Sequence, residues 1–372
     1  EVMKDLYMSM ILSMTFALVF ATVLPILTGT DPTMTVSAVI VLFVFVQSGF
    51  AFAIRTVSPT DPLWYHPGSI ATDPERRLRR TTAVGAVLAA GLVVLAGLDM
   101  LRIAPVLSDL WPGGPLPMPL YAAIPVTPLV VPGLAVRAEE GLVRDRDGEF
   151  PSFIRALVAS ESAKQSTSSA VLAELRRKDF GALTPAIDDL YKRLNMRIGP
   201  ARAWRFFAAE CRSNLIQKFS EMYLFGRRMG GDPKMLGELI SENMNEALQL
   251  RERRTQTTIT MIGLLYGITA AATFAFFIGL EVVAILSELS LDLNTDSLGV
   301  GQLIHTGVYD IPTIEFLLVA VILYNGLVSA LMIRTIDGGH KLNAYVHFVA
   351  LTWIAALVAV LTRAVTASLL SV

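Results

Sequence analysis

Seven stretches of the chain carry the roughly 20 predominantly apolar residues needed to cross a hydrocarbon core. They lie at about 6–27, 34–54, 80–101, 119–136, 257–286, 314–333 and 343–370. Between the fourth and the fifth sits a polar, charge-dense island, Arg137 to Gln256. Within it apolar positions recur at helical spacing: Phe153, Ile154, Leu157 and Val158; Val171, Leu172 and Leu175; Ile187, Leu190, Tyr191 and Leu194; Met235, Leu236, Leu239 and Ile240. No stretch alternates as a strand would. The pattern predicts an all-α, polytopic membrane protein with about seven transmembrane helices and one inserted helical-bundle domain. Residues 1–136 hold four spans with a basic connection at 55–80, 137–256 form the domain, and 257–372 hold three spans.

Proline and glycine mark the joins. Thr184-Pro185, Gly199-Pro200 and Asp232-Pro233 each place a capping residue before a proline whose fixed φ suits the first helical position. Island helices are expected at about 151–165, 168–179, 185–197, 200–227 and 233–256. The last runs into the fifth span with no Gly or Pro between Leu250 and Thr257. That span carries Gly263, Gly267, Ala271, Ala275 and Gly279, a small residue at every fourth position. Such a stripe lets a second helix backbone approach closely, either within the bundle or across a subunit interface. The fourth stretch contains Pro119, Pro125, Pro128 and Pro132, each lacking a backbone donor. It reads as a span if neighbours satisfy the freed carbonyls, and otherwise as a re-entrant or interfacial hairpin.

Charge sets the orientation. Connection 55–79 carries Arg55, Arg76, Arg77 and Arg79, and 334–342 carries Arg334 and Lys341, whereas 28–33 and 287–313 have no Lys or Arg. Positive residues are retained on the cytoplasmic side, so the island is expected in the cytoplasm. The composition, 53% hydrophobic with a mean hydropathy of +0.55, averages over these two unlike materials. A single cysteine, Cys211, excludes an intrachain disulfide framework and reads as a small core residue. No phosphate-binding loop, HExxH, GxSxG or metal-spaced acid cluster is present, so neither catalysis nor a cofactor nor a metal is implied. The four histidines are scattered, and Asp337-Gly338-Gly339-His340-Lys341 reads as a short turn. Polar groups inside the spans are few: Gln47, Asp99, Glu281, Asn325 and Arg363, of which Glu281 stands out in an otherwise apolar run. That scarcity argues against a transporter or channel.

The informative polar feature is basic. Arg176, Arg177 and Lys178 end one island helix, Lys192, Arg193 and Arg197 line the next, Arg227 and Arg228 end a third, and Arg251, Arg253 and Arg254 approach the membrane. Across 137–256 there are 21 Lys and Arg against 17 Asp and Glu. Anionic headgroups suit the last cluster, and four clusters on one tethered domain suit an acidic protein partner.

The chain resembles the integral membrane platform proteins of type II secretion and type IV pilus systems, and most closely the archaeal branch that assembles the archaellum. The resemblance rests on Glu149-Phe150-Pro151-Ser152-Phe153 opening the island, Gly199-Pro200, the Phe206-Phe207 pair, Met229-Gly230-Gly231 followed by Leu236 and Leu239, and the basic run 251–254. The order of these motifs over about 220 residues, with the acidic connection after Gly279-Leu280-Glu281-Val282-Val283, carries it. It implies a non-enzymatic platform that works with a hexameric secretion ATPase and associated motor proteins to move filament subunits (archaellins or pilins) out of the bilayer. It further implies membrane lipids as surroundings, a homodimer, no nucleic acid, and two helical cytoplasmic domains per chain. Only one is present here, so a further domain is expected upstream of Glu1. On this reading Arg176, Arg177, Lys178, Lys192, Arg193 and Arg197 face the ATPase and Arg251, Arg253 and Arg254 couple the domain to the membrane. Platforms of an adhesion pilus or a type II secretion system share these mechanics and are the alternative.

Overall fold

A computed structural model describes residues 32–58, 61–65, 73–103, 106–109, 116–164, 168–292 and 311–370, together with Ser9. Every element named below is helical, as the periodicities predict. In chain order the α-helices are α1 (Pro32–Val57), α2 (Asp73–Met100), α3 (Met118–Val126), α4 (Val130–Lys164), α5 (Ser168–Leu175), α6 (Thr184–Asn195), α7 (Pro200–Cys211), α8 (Asn214–Arg228), α9 (Pro233–Asp292), α10 (Ile311–Asp337) and α11 (Ala344–Leu370). Among the described residues, six helical stretches are long and apolar enough to cross a membrane. They coincide with six of the seven expected spans; the first, about 6–27, lies outside the described residues.

The proline-rich stretch is helical throughout. A 3-10 turn, Thr127–Leu129, joins α3 to α4, and Pro119, Pro128 and Pro132 all stand near helix starts, where the missing N–H would have been unpaired anyway. The Thr127 hydroxyl donates to the Ala123 carbonyl at 3.0 Å and accepts from Trp353 Nε1 at 2.9 Å. Two glycines let neighbouring helices close on it. A Cβ at Gly85 would meet Pro132 Cδ at 3.1 Å, and one at Gly133 would meet Val346 Cγ2 at 2.7 Å. The stretch therefore passes between α2 and α11 as packed helix.

Two continuous helices join the bundle to the domain. The uninterrupted course of α9 matches expectation: 60 residues, about 90 Å at 1.5 Å per residue. The first domain helix, expected from 151, instead starts at Val130 in the bundle and carries Pro151 within it. The helix expected over 200–227 is two helices. Arg212 takes a left-handed conformation (φ 56°), and the Ser213 hydroxyl caps α8 by accepting from Ile216 N at 3.0 Å. Ser213 supplies the N-cap that a continuous helix would have no use for.

The domain core is aromatic. Phe150, Phe153, Trp204, Phe207 and Tyr223 pack with ring centroids 5.4–6.3 Å apart, and Cys211 is buried with them. The hairpin from α8 to α9 closes on glycine: Gly226 and Gly231 both face Leu236, and a Cβ at Gly237 would lie 2.2 Å from Val158 Cγ2 of α4.

Among the described residues the small-residue stripe packs against no other element of the bundle. Gly263, Gly267, Ala271 and Ala275 are exposed, Gly279 is half-buried, and no atom from another element lies within 4 Å of a Cβ built on Gly263 or Gly267. The bundle is instead packed by Met261, Leu265, Thr269, Ala272, Phe276 and Leu280, the larger residues of the other face.

Candidate functional site

A set of buried and half-buried charged groups converges where the domain meets the bundle. In α4, positions 136, 140, 143, 147, 150 and 154 form one stripe at alternating spacings of four and three, the inward face of a helix. Val136, Val143, Phe150 and Ile154 are fully buried, and Glu140 and Asp147 occupy the same stripe at 3% and 1% exposure. Two carboxylates therefore point where hydrophobic side chains would be expected, and each needs partners.

Arg251 of α9 reaches two of the acids. It holds Asp61 through Nε at 2.8 Å and Nη2 at 3.2 Å, and Asp147 through Nη1 at 2.9 Å. Asp61 belongs to the connection between α1 and α2, so one guanidinium ties that connection to both stalk helices. One turn on, Arg254 donates to the carbonyls of Thr335 and Ile336 at the end of α10. Glu140 accepts from His340 N and, at 3.0 Å, from Asn343 Nδ2, while Arg144 pairs with Asp337 at 3.2 Å. The turn after α10 is thus held by α4 and α9 together. Gly338 there has φ 75°, and the His340 ring caps the next turn by accepting from Leu342 N.

The break between α7 and α8 completes the junction. Because the chain is left-handed at Arg212, its carbonyl faces outward and accepts from Tyr65 N at 2.8 Å, while Asn214 N donates to the Leu63 carbonyl at 3.1 Å. Trp64 and Ser213 form an antiparallel bridge. The Arg212 guanidinium lies 5.7 Å from the Trp64 ring centroid and 3.4 Å from Glu139, and Leu63 and Trp64 bury against Leu78, Val136 and Val143. A cavity of about 360 Å³ remains among Asp61, Asp147, Arg144, Arg251, Arg254 and Asp337. The chemistry is that of a clamp: two connections from one end of the bundle are fastened to the two helices that carry the domain, and one of them also pairs with the α7–α8 break. Among the described residues no group of three or more His, Cys, Asp or Glu could hold a metal.

The expected site residues fall into three groups. Arg251 and Arg254 are in the clamp, and Arg253 beside them is exposed. Of the six cations expected to face a partner, three are committed within the domain. Arg176 pairs with Asp188 at 3.2 Å, Lys192 pairs with Asp188 at 2.7 Å and Asp189 at 2.9 Å, and Arg193 forms a two-pronged pair with Glu210 over the Phe206 ring. Lys192 holds the Asp188 carboxyl below its ordinary value, and Glu210 raises Arg193. Arg177, Lys178 and Arg197 are exposed. Glu281 is joined by Arg363, also expected within the spans, and by Glu315, which was not: Arg363 lies 3.3 Å from Glu281 and 2.8 Å from Glu315, so three helices share one ion triad. Asp61, Trp64, Glu140, Asp147 and Arg212 were not anticipated; the signal for Glu140 and Asp147 is their place on the apolar stripe.

Compared with known proteins, the sequence is 31% identical over all 372 residues to Flagella accessory protein J of Methanocaldococcus jannaschii. It is 31% identical over 371 residues to the protein of the same name from Methanococcus voltae. The chain is similar to Flagella accessory protein J along its whole length. It spans 65% of the length of each of these relatives. Because the alignment with the Methanocaldococcus protein covers the whole chain, α4, α9 and the clamp all fall inside the shared region. No family model matches the chain, and no solved structure matches it.

Proposed function

We propose that this chain is the membrane platform of an archaellum-type filament, with its helical domain in the cytoplasm, where a hexameric secretion ATPase acts on it. The observation that carries the reading is whole-chain similarity to Flagella accessory proteins J in a chain whose domain continues into its spans through two unbroken helices. Of the two, α9 has no Pro after its first residue and no Gly pair, and such a helix resists bending, so displacement of the domain reaches the bilayer. The Lys and Arg of connections 55–79 and 334–342 support the cytoplasmic assignment, since the domain projects from the bundle end where those connections are clamped.

Arg177, Lys178 and Arg197, exposed on the domain, steer the ATPase by charge. Lifting filament subunits and rotating the filament follow from displacement of the domain, and no chemistry of this chain is required. The outward stripe Gly263, Gly267, Ala271 and Ala275 is the seam of a homodimer, because lipid-facing small residues gain packing only against another backbone.

The test is binding of the purified chain in lipid nanodiscs to a hexameric secretion ATPase from the same organism, with ATP hydrolysis followed at low and moderate salt. Salt-sensitive binding that stimulates hydrolysis is expected, and Arg177→Glu with Lys178→Glu should slow association. Absence of binding by the wild-type chain at both salt concentrations would overturn the reading.

A further inference from the structure

Between α7 and α8 runs a groove of about 250 Å³ whose floor is apolar, formed by Trp204, Ala208 and Leu224. Arg205 stands on one wall and Arg228 on the other, both exposed and neither in an ion pair within the described structure; Glu221 is the one carboxylate on the rim. The Ser220 hydroxyl also lines the groove. Its residue is 2% exposed, and the oxygen has no hydrogen-bond partner. Buried hydroxyls in folded proteins are ordinarily paired, so this one points to a ligand that supplies the partner. Beside the groove, Met222, Phe225 and Met229 form an exposed ridge at i, i+3 and i+7, with Phe225 66% exposed.

Lipid is not what covers this surface. Arg228 ends α8 just before α9 begins, and α9 runs 24 residues from Pro233 to Gln256, about 36 Å, before the apolar span begins. Charge and shape together specify a different occupant. An apolar floor between two unpaired guanidinium groups, flanked by a methionine- and phenylalanine-rich ridge, suits a helix with an apolar face and acidic flanks laid into the groove.

We infer that the α7–α8 groove is the docking site for an acidic, amphipathic helix of the cytoplasmic ATPase. This rests on the platform reading above and adds the contact that holds the complex, as opposed to the exposed cations that steer it. Carboxylates of the partner pair with Arg205 and Arg228, apolar side chains cover Leu224 and Phe225, and a polar group of the partner meets Ser220.

The experiment measures association and dissociation rates of the same ATPase on nanodisc-embedded chain carrying Arg205→Glu with Arg228→Glu, or, separately, Phe225→Ser. Thermal unfolding is recorded for each variant; all three positions are exposed, and wild-type midpoints are expected. Both variants should speed dissociation at least tenfold, whereas Arg177→Glu with Lys178→Glu should alter mainly association. Wild-type binding with dissociation unchanged in both groove variants would overturn this inference and leave the platform reading standing. No binding by the wild type would overturn both. A photo-crosslinker at Met222 should capture the ATPase, and capture of a second copy of this chain instead would overturn the assignment of the occupant.

Discussion

Arg251 fastens three elements with one side chain: α9, α4 and the connection between α1 and α2. In Arg251→Met the Asp147 carboxylate, 1% exposed, loses its counter-charge while remaining buried. Breaking a buried pair from one side costs about 3–5 kcal/mol. The pair with Asp61, whose side chain is 35% exposed, adds at most about 1 kcal/mol. Since the loss is set by the stranded acid, removing that acid should restore most of it. Arg251→Met combined with Asp147→Leu is therefore expected to be more stable than Arg251→Met alone, the recovery exceeding about 2 kcal/mol. The assay is thermal unfolding of the detergent-solubilised chain followed by intrinsic fluorescence. For a cooperative unit of 150–250 residues, a loss of 3–5 kcal/mol lowers the midpoint by roughly 6–20 °C. Limited proteolysis at the connection around Asp61 should accelerate in parallel. Equal midpoints for the single and the double variant, or a single variant indistinguishable from wild type, would refute the reasoning.

Other outcomes follow from the packing. Gly237→Ala places a methyl 2.2 Å from Val158 Cγ2 and should destabilise the contact between α4 and α9 by about 1–3 kcal/mol, with Val158→Ala restoring most of it in thermal unfolding. Gly263→Leu with Gly267→Leu meets open space in one chain, so the unfolding midpoint should stay within about 2 °C of wild type, because isolated exposed substitutions seldom change stability by more than about 0.5 kcal/mol. Chemical crosslinking of the dimer should fall, and crosslinking at the wild-type level would reject the seam. Cys211 is fully buried, and desolvation raises its thiol above the ordinary range. Maleimide should therefore label it only on unfolding, and rapid labelling of the native chain would contradict the placement of α7. Arg363→Leu strands Glu315, and should lower the thermal midpoint more than Arg363→Leu combined with Glu281→Gln and Glu315→Gln.

The spans within the described residues and the continuity of α9 were legible because each is written in a single local pattern, either an apolar run or the absence of Gly and Pro between Leu250 and Thr257. The break at Arg212 was not legible. Residues 200–227 keep a helical period throughout, and the chain turns there only because its freed backbone groups pair with Leu63 and Tyr65, some 150 residues away in sequence. Tertiary pairing overrode local propensity. The partners of the basic clusters were not legible for a related reason: Arg176, Lys192 and Arg193 look like free surface charge until Asp188, Asp189 and Glu210 are brought beside them. The stripe on α9 showed that small residues share a face, but which face turns inward depends on the volume of the others, and Met261, Leu265 and Phe276 took that side. Glu140 and Asp147 could have been found by asking which charged residues interrupt an apolar stripe.

The unbroken course of α9 makes it a lever. The clamp at Arg251 and Arg254 is its fulcrum, fixed to one end of the bundle. From Pro233 to the fulcrum is about 27 Å, and from the fulcrum to Val282 about 42 Å, at 1.5 Å per residue. With arms in a ratio of about 1.5, a sideways push of about 2 Å on the domain tip swings the far end of the span by about 3 Å in the opposite direction. The far arm carries the outward glycines, so a small stroke delivered in water becomes a larger one in lipid, on the face where a neighbouring helix would feel it.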